Sequence, residues 1–455
     1  MLNLRSKKMY FENETVLQFG EGGFLRAFAD YFLHEMNELG TYSGKAVVIQ
    51  PIEKGRADEL NAQNCSYHLL IRGMENGEKV NNCIKINSIS RAINPYTYYN
   101  AYIELAENPN LRIIISNTTE AGIEFLGVEK PDDKPPKSFP AKLTAFLYRR
   151  FTLGLPGFLV LPCELIDENS SLLREYVLKY ASLWNLGDKF KRWVCKENTF
   201  CNTLVDRITP GFPKDDENLA ALLESCSSDT LLNTTEPFYL WVIEGNHEDE
   251  FPLVKSGLNV IWVDDVRPYK KRKVRILNGA HTSLVPGALL YGLETVGECM
   301  KDTTQREYLE YCVTKEILPV IGEEGGNREF ADAVFERFEN PFIRHRLQSI
   351  ALNSISKFSV RVLPTMKEYR EKFGHSPKGL CFALASLIAF YKKGTPDDSP
   401  ELIEIIKNSS FREILSNDRI FGEDLSVFAD DAEQHYRTIM EKPKSQWYSF
   451  IEEQT

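Results

Sequence analysis

Short apolar runs alternate with amphipathic stretches along the first part of the chain. Thr15–Phe19 is apolar and ends in Gly20-Glu21-Gly22-Gly23. Phe24–Leu39 follows with Phe28, Tyr31, Phe32 and Met36 at helical spacing, which predicts a helix directly after the glycines. Lys45–Ile49 reads as a second strand, Tyr67–Ile71 and Ile84–Ile89 as further strands, and Leu111–Ser116, with its three isoleucines, as a buried one. Helices are predicted over Tyr96–Ala106, Ala141–Phe151 and Leu172–Leu186, and strands over Phe158–Pro162, Phe238–Glu244 and Val260–Val263. The proline- and charge-rich stretch Pro131–Pro140 reads as a loop. Strands alternating with helices imply an α/β domain with a mostly parallel sheet.

The pattern changes after Asp265. From Lys273 onward apolar positions recur at helical spacing, with long stripes in Leu347–Lys357 and Gly379–Tyr391 and few strand signals. The boundary falls near Asp264–Pro268, giving an α/β domain over residues 1–265 and a mostly α-helical domain over residues 266–455. A length of 455 residues suits two cores. No apolar run approaches the roughly 20 residues that span a bilayer. Met1–Phe11 is polar and lacks the apolar core of a secretion signal. The nine cysteines are dispersed without a CxxC pair, as expected for reduced thiols in a cytoplasmic protein, and they offer no zinc-finger spacing. A net charge of −11 argues against a general nucleic-acid binder.

Chemistry enters at the first strand-to-helix turn. In Phe19-Gly20-Glu21-Gly22-Gly23-Phe24-Leu25-Arg26 the glycines let the backbone approach a pyrophosphate, and a helix start offers it free N–H groups. The third glycine of GxGxxG is Leu25, so by itself the turn fits a plain strand–helix connection as well as a dinucleotide site. At the end of the second strand, where an acid favours NAD by holding the ribose hydroxyls, stands Gln50. Gln50 can bond a ribose without repelling a phosphate, and Lys54 and Arg56 follow, so locally NADP stays open. Asn117 and Thr118, in the polar run Ser116-Asn117-Thr118-Thr119-Glu120-Ala121-Gly122, lie where a parallel sheet presents its carboxyl ends to a ligand. Further along, Lys273, Asn278 and His281 bring an amine, an amide and an imidazole together. Asn278 and His281 share a helix face, and Lys273 is expected near the helix start, its pKa lowered by the dipole and by Lys270, Lys271, Arg272 and Arg275. The plain alternative is a basic, solvated helix start.

The spacing Lys273-x4-Asn278-x2-His281 resembles the catalytic pattern of the mannitol dehydrogenase family, the polyol-specific long-chain dehydrogenases. The likeness runs along nearly the whole chain: Gly20–Arg26, Thr203-Leu-Val-Asp206-Arg207-Ile-Thr209-Pro210, Val266–Tyr269, Arg337–Pro341 and Lys357 all match family landmarks. The runs Gln18–Gly22, Ser116–Gly122, Pro162–Ile166, Lys273–Thr282 and Lys357–Pro364 are most similar to the family's sugar-acid-reducing branch. The resemblance implies a Rossmann-like N-terminal domain, NAD as cofactor and interconversion of a keto-hexuronate with its aldonate in hexuronate catabolism, without a catalytic metal. It also implies Lys273 as general acid/base, Asn278 and His281 as donors to the reacting oxygen, and cofactor contacts from Phe19, Gly20, Gly22, Gly23, Phe24, Arg26, Gln50, Asn117, Thr118 and Asp206. Lys357 would reach the substrate.

Two departures redirect the substrate. Cys163-Glu164 is followed by Leu165 where mannitol-type enzymes carry Asn, and Ser349 stands where they carry Arg, eight residues before Lys357. Both count against a neutral polyol. A hexuronate brings a carboxylate, which wants a fixed cation, and Arg361 is the first candidate, Arg72 the second. The remaining histidines, His345 among them, are read as non-catalytic. Fructuronate reduction, polyol oxidation and a non-catalytic dinucleotide sensor are the competing readings. The expected partner is a small sugar acid, with no nucleic acid and no membrane.

Overall fold

The computed structural model describes residues 13–452, apart from 120, 215, 217, 227, 228, 323 and 324. The N-terminal segment through Phe11 and Glu120, both read above, lie outside the described residues. The chain divides into two compact units, Met1–Arg72 with Val80–Val266, and Gly73–Lys79 with Arg267–Thr455.

The first unit is built on six strands: β1 (Glu14–Phe19), β2 (Lys45–Ile49), β5 (Ile89–Ile93), β6 (Ile113–Ser116), β7 (Leu159–Pro162) and β8 (Thr199–Phe200). All pair in parallel, in the order β5-β2-β1-β6-β7-β8. Counting only these strands, the order is 3-2-1-4-5-6, that of a doubly wound dinucleotide-binding sheet, whose strand order reverses beside β1. Side chains alternate between faces. Leu17, Phe19, Val47, Ile49 and Ile114 meet helices Phe139–Thr152 and Asn169–Leu183 on one side. Val16, Ala46, Ile113 and Ile115 meet helix Ala29–Glu38 and Trp241 on the other. Burial on both faces explains why these strands read as continuous apolar runs. A smaller sheet joins β3 (Tyr67–Glu75), β4 (Glu78–Ile86) and β10 (Asn233–Thr235), and a third joins β9 (Thr203–Asp206), β11 (Leu240–Glu244) and β12 (Val260–Val263). Asn76 and Gly77, both at positive φ, make the two-residue turn between β3 and β4.

Three sequence expectations need correction here. The single helix expected over Phe24–Leu39 is two, Gly23–Arg26 and Ala29–Glu38, because Phe28 leaves helical geometry at φ −128°, ψ −86°. The strand expected over Ile84–Ile89 is the end of β4 and the start of β5. Strands β8, β9 and β10 were not anticipated; β8 and β10, of two and three residues, are too short to show a period.

The second unit is helical. Helices Gly279–Tyr291 and Lys378–Lys393 are buried almost throughout, and helix Ala429–Glu441 packs on the latter. A helix apolar all round belongs in a core. The stripe expected over Leu347–Lys357 is divided between helices Leu347–Ile350 and Ser354–Arg361, with Asn353 in the left-handed region at φ 52°. Among the described residues no helix is long and apolar enough to cross a membrane.

Candidate functional site

At the carboxyl end of β1 the chain turns through Gly20, whose φ of +119° suits glycine. A Cβ there would lie 2.8 Å from the Asn117 carbonyl oxygen, so Gly20 also lets the turn close against the β6 loop. A Cβ on Gly22 would meet nothing within 4 Å, which leaves open space in front of the exposed Gly22 backbone. The turn therefore combines close approach behind with room in front, at the point where the strand order reverses. That is the place and shape a pyrophosphate needs, and these residues fit a dinucleotide.

The structure distributes the other expected cofactor residues differently. Phe19 points into the core, packed on Tyr102 and Phe139, so only its backbone belongs to the turn. Phe24 stacks on Phe28. Arg26 is 3% exposed; its guanidinium donates to the carbonyls of Glu21 (3.2 Å) and Leu231 (2.5 Å) and lies over the Tyr67 ring. It braces the turn from beneath, and burial holds its pKa down. Gln50 is likewise occupied: Nε2 donates to the carbonyls of Ile52 and Glu53, and Oε1 accepts from Ala57 N. Both amide hydrogens serve the loop after β2, so the expected ribose contact from Gln50 has no donor left. Asn117 Nδ2 donates to the Cys163 carbonyl at 3.0 Å, while Thr118 donates through both N (2.8 Å) and Oγ1 (3.0 Å) to Glu164 Oε1. Glu164, which sequence reasoning valued only as a landmark, thus fixes the β6 loop; Ser116 Oγ completes its shell, and burial raises its pKa. Asp206 ends β9, buried, opposite Leu240 of β11, outside the parallel sheet. Its neighbour Arg207 donates to the carbonyl of Ala27, at the break between the two helices.

In the second unit Lys273 does not start a helix. Helix Arg267–Lys273 continues into a wide turn, Val274–Asn278, of π type, and then into helix Gly279–Tyr291. The helix start expected at Lys273 is therefore absent. The wide turn has another consequence. Residues five apart on an α-helix point about 140° away from each other. A turn closed by i→i+5 bonds brings the fifth residue round beneath the first. The Lys273-x4-Asn278 spacing suits that turn, and Asn278 and His281 then share a face in ordinary α geometry. Lys273 and Asn278 are half-buried and His281 is 8% exposed. Lys270, on the same helix, has its pKa lowered by burial first and by the Lys273 charge second.

Around this stripe the His281 ring stacks on Phe338 (4.1 Å between centroids) and meets His345 edge-on at 5.1 Å. Burial holds His345 toward its neutral form. Arg361 Nη1 lies 3.5 Å from Thr282 Oγ1, one residue beyond His281. Lys357, four residues before Arg361, donates to the Ile350 carbonyl at 2.9 Å. Both cations have lowered pKa values: burial for Arg361, and burial with the Arg361 charge for Lys357. Among the described residues no carboxylate pairs with either. Arg72 differs: it is 7% exposed, pairs with Asp216 at 2.5 Å and donates to Asn81 Oδ1, so it is committed within the first unit and is not a substrate clamp.

Comparisons with known proteins match this arrangement. Residues 14–255 match the mannitol dehydrogenase Rossmann domain and residues 265–440 the mannitol dehydrogenase C-terminal domain. The chain is 44% identical over 432 residues to an altronate oxidoreductase of Bacillus subtilis (strain 168), covering 91% of this chain and 89% of the relative. It is 48% identical over 387 residues to one of Yersinia enterocolitica, covering 83% and 80%. Among solved structures, a substrate-free D-sorbitol dehydrogenase superposes with a TM-score of 0.82 at 22% identity, covering 96% of each chain. Pseudomonas fluorescens mannitol 2-dehydrogenase, in a complex with NAD and D-mannitol, gives 0.74 at 22% identity, covering 98% of this chain and 96% of that one. Fold, glycine turn and these matches agree: the chain belongs to the mannitol dehydrogenase family, as an NAD-dependent oxidoreductase acting on a CH–OH group.

Proposed function

We propose that this protein interconverts tagaturonate and altronate, with Lys273 as general acid/base and without a catalytic metal. The observation that carries the sugar-acid reading is the pair Lys357 and Arg361. They are two partly buried cations one helical turn apart, with no carboxylate partner among the described residues, beside Thr282 and His281. Removing cations from water without a counter-charge is costly, and a substrate carboxylate would relieve that cost. The names of the curated relatives support the same substrate class.

The nicotinamide cofactor, when bound, supplies or accepts the hydride. The glycine turn Gly20–Gly23 would hold its pyrophosphate, and the β6 loop fixed by Glu164 would line the same edge. In the reductive direction the Lys273 ammonium holds the proton that the carbonyl oxygen takes up as it becomes an alcohol. Asn278 and His281 donate to that oxygen, and such donors act most strongly where negative charge grows in the transition state. Arg361 orients the far end of the substrate through its carboxylate, which a guanidinium binds in a fork.

Turnover measured on tagaturonate, fructuronate and fructose tests the substrate. Arg361→Ala should raise the KM for the uronate about ten- to a hundredfold, the loss of one charged hydrogen bond or two, and should leave fructose nearly unchanged. An equal effect on both sugars removes Arg361 as the clamp.

A further inference from the structure

The glycine turn also carries a buried acid. Glu21, between Gly20 and Gly22, is 6% exposed. Its Oε1 accepts the backbone N–H of Arg56 at 3.2 Å, and its Oε2 is buried with no hydrogen-bond partner among the described residues. Burial raises its pKa, while the Arg56 N–H and the charges of Arg26 and Arg56 pull it back. A buried carboxylate oxygen without a donor costs free energy that an incoming hydroxyl would recover.

Its position identifies the donor. In a sheet of this order the acid that holds the adenosine ribose stands at the carboxyl end of the second strand. Here that position is Gln50, whose amide hydrogens are both committed to the Ile52 and Glu53 carbonyls. The Glu21 carboxylate reaches the same spot from the neighbouring strand. A Cβ on Gly55 would fall 2.1 Å from Glu21 Oε1 and 2.5 Å from Gln50 Cδ, so the glycine at 55 is what lets the loop lie against both side chains. We propose that Glu21, supplied by the turn after β1, takes over the ribose-binding role usually filled from the end of β2, with Oε2 accepting an adenosine ribose hydroxyl. The same carboxylate excludes NADP by repelling its 2′-phosphate, although Lys54 and Arg56 stand nearby. This inference rests on the family's NAD cofactor and not on the sugar-acid reading, so the two can fail separately.

The test is direct titration of the full chain with NADH and with NADPH, followed by calorimetry without substrate, on wild type and Glu21→Gln, with melting temperatures alongside. Wild type should bind NADH at least about tenfold more tightly than NADPH, and Glu21→Gln should lose about tenfold of that preference. The loss should come from weaker NADH and stronger NADPH binding. Equal wild-type affinities, or a Gln variant in which both nucleotides weaken by one factor, would overturn the proposal and leave Glu21 as a brace for the loop. Should the Gln variant not fold, Glu21→Asp decides, since it keeps the charge and shortens the reach. NADH should then weaken while NADPH stays poor, and unchanged NADH affinity overturns the inference.

Discussion

At the scale of single residues, the chemistry depends on which polar groups are left over once the fold has used the rest. Arg26, Gln50 and Arg72 all stand at positions where sequence reasoning assigns a ligand, and all are consumed internally. Their residue types were legible, but the direction of each side chain was not, because it depends on acceptors brought near by distant segments, such as the Leu231 carbonyl and the Asp216 carboxylate. Lys273 is a half-buried amine on the face shared with an amide and an imidazole. Lys273→Ala should lower kcat about 10²- to 10⁴-fold, the usual contribution of a positioned acid/base. NADH affinity, read by titration, should hold. A variant that turns over at near wild-type rate with cofactor bound would refute the assignment.

At the scale of elements, the long periodic runs were readable and the irregularities between them were not. The buried strands β1, β2 and β6 and the helix Lys378–Lys393 follow from apolar pattern alone. The break at Phe28, the left-handed Asn353 and the wide turn Val274–Asn278 leave no mark in the hydrophobic period, since each adds or redirects a single residue. The last of these matters most, because a regular helix would turn Lys273 away from Asn278. Such turns are uncommon and cluster at functional sites, so something must hold this one. Arg275 lies inside it, 8% exposed, and donates to Thr365 Oγ1 at 2.7 Å and to Glu368 Oε1 at 2.6 Å on helix Leu363–Phe373. Glu368 answers with a lowered pKa despite its partial burial, through Arg275 first and Lys271 next. Arg275→Met keeps the apolar stem and removes both bonds. It should lower kcat by about tenfold or more, the equivalent of one charge-assisted bond, with little change in NADH affinity. Unchanged kcat in a folded variant would show that the backbone holds the turn unaided.

At the scale of the whole molecule, stability against pH sums over every buried titratable group, and the signs separate by window. Burial raises Glu316 to about 8 and Asp30 to about 7, one in each unit. A carboxyl raised above its unfolded value contributes stability that is fully present below the unfolded pKa and is lost as pH rises through the folded one. Glu21 and Glu164 are shifted in the same direction. His435 opposes them, since its pKa falls from 6.5 to about 4, but its effect is complete above 6.5. Lys142, lowered to about 8, adds stability only as pH rises beyond that value. Between about 6.5 and 8 the raised carboxyls therefore act without opposition from these two groups, and the melting temperature should fall across that interval. Glu316 offers the cleanest check. Its two oxygens accept the N–H groups of Gly379 and Leu380 at 2.8 Å each, at the start of helix Lys378–Lys393. Glu316→Gln keeps one acceptor, sets an amide N–H against the other donor, and removes the titration. The variant should melt lower at pH 6.5 yet show a shallower decline toward pH 8. The difference between the slopes is bounded by the one-proton limit of about 1.4 kcal/mol per pH unit. Parallel melting curves for the two proteins across that interval would show that Glu316 keeps one protonation state throughout, and that the backbone donors outweigh its burial.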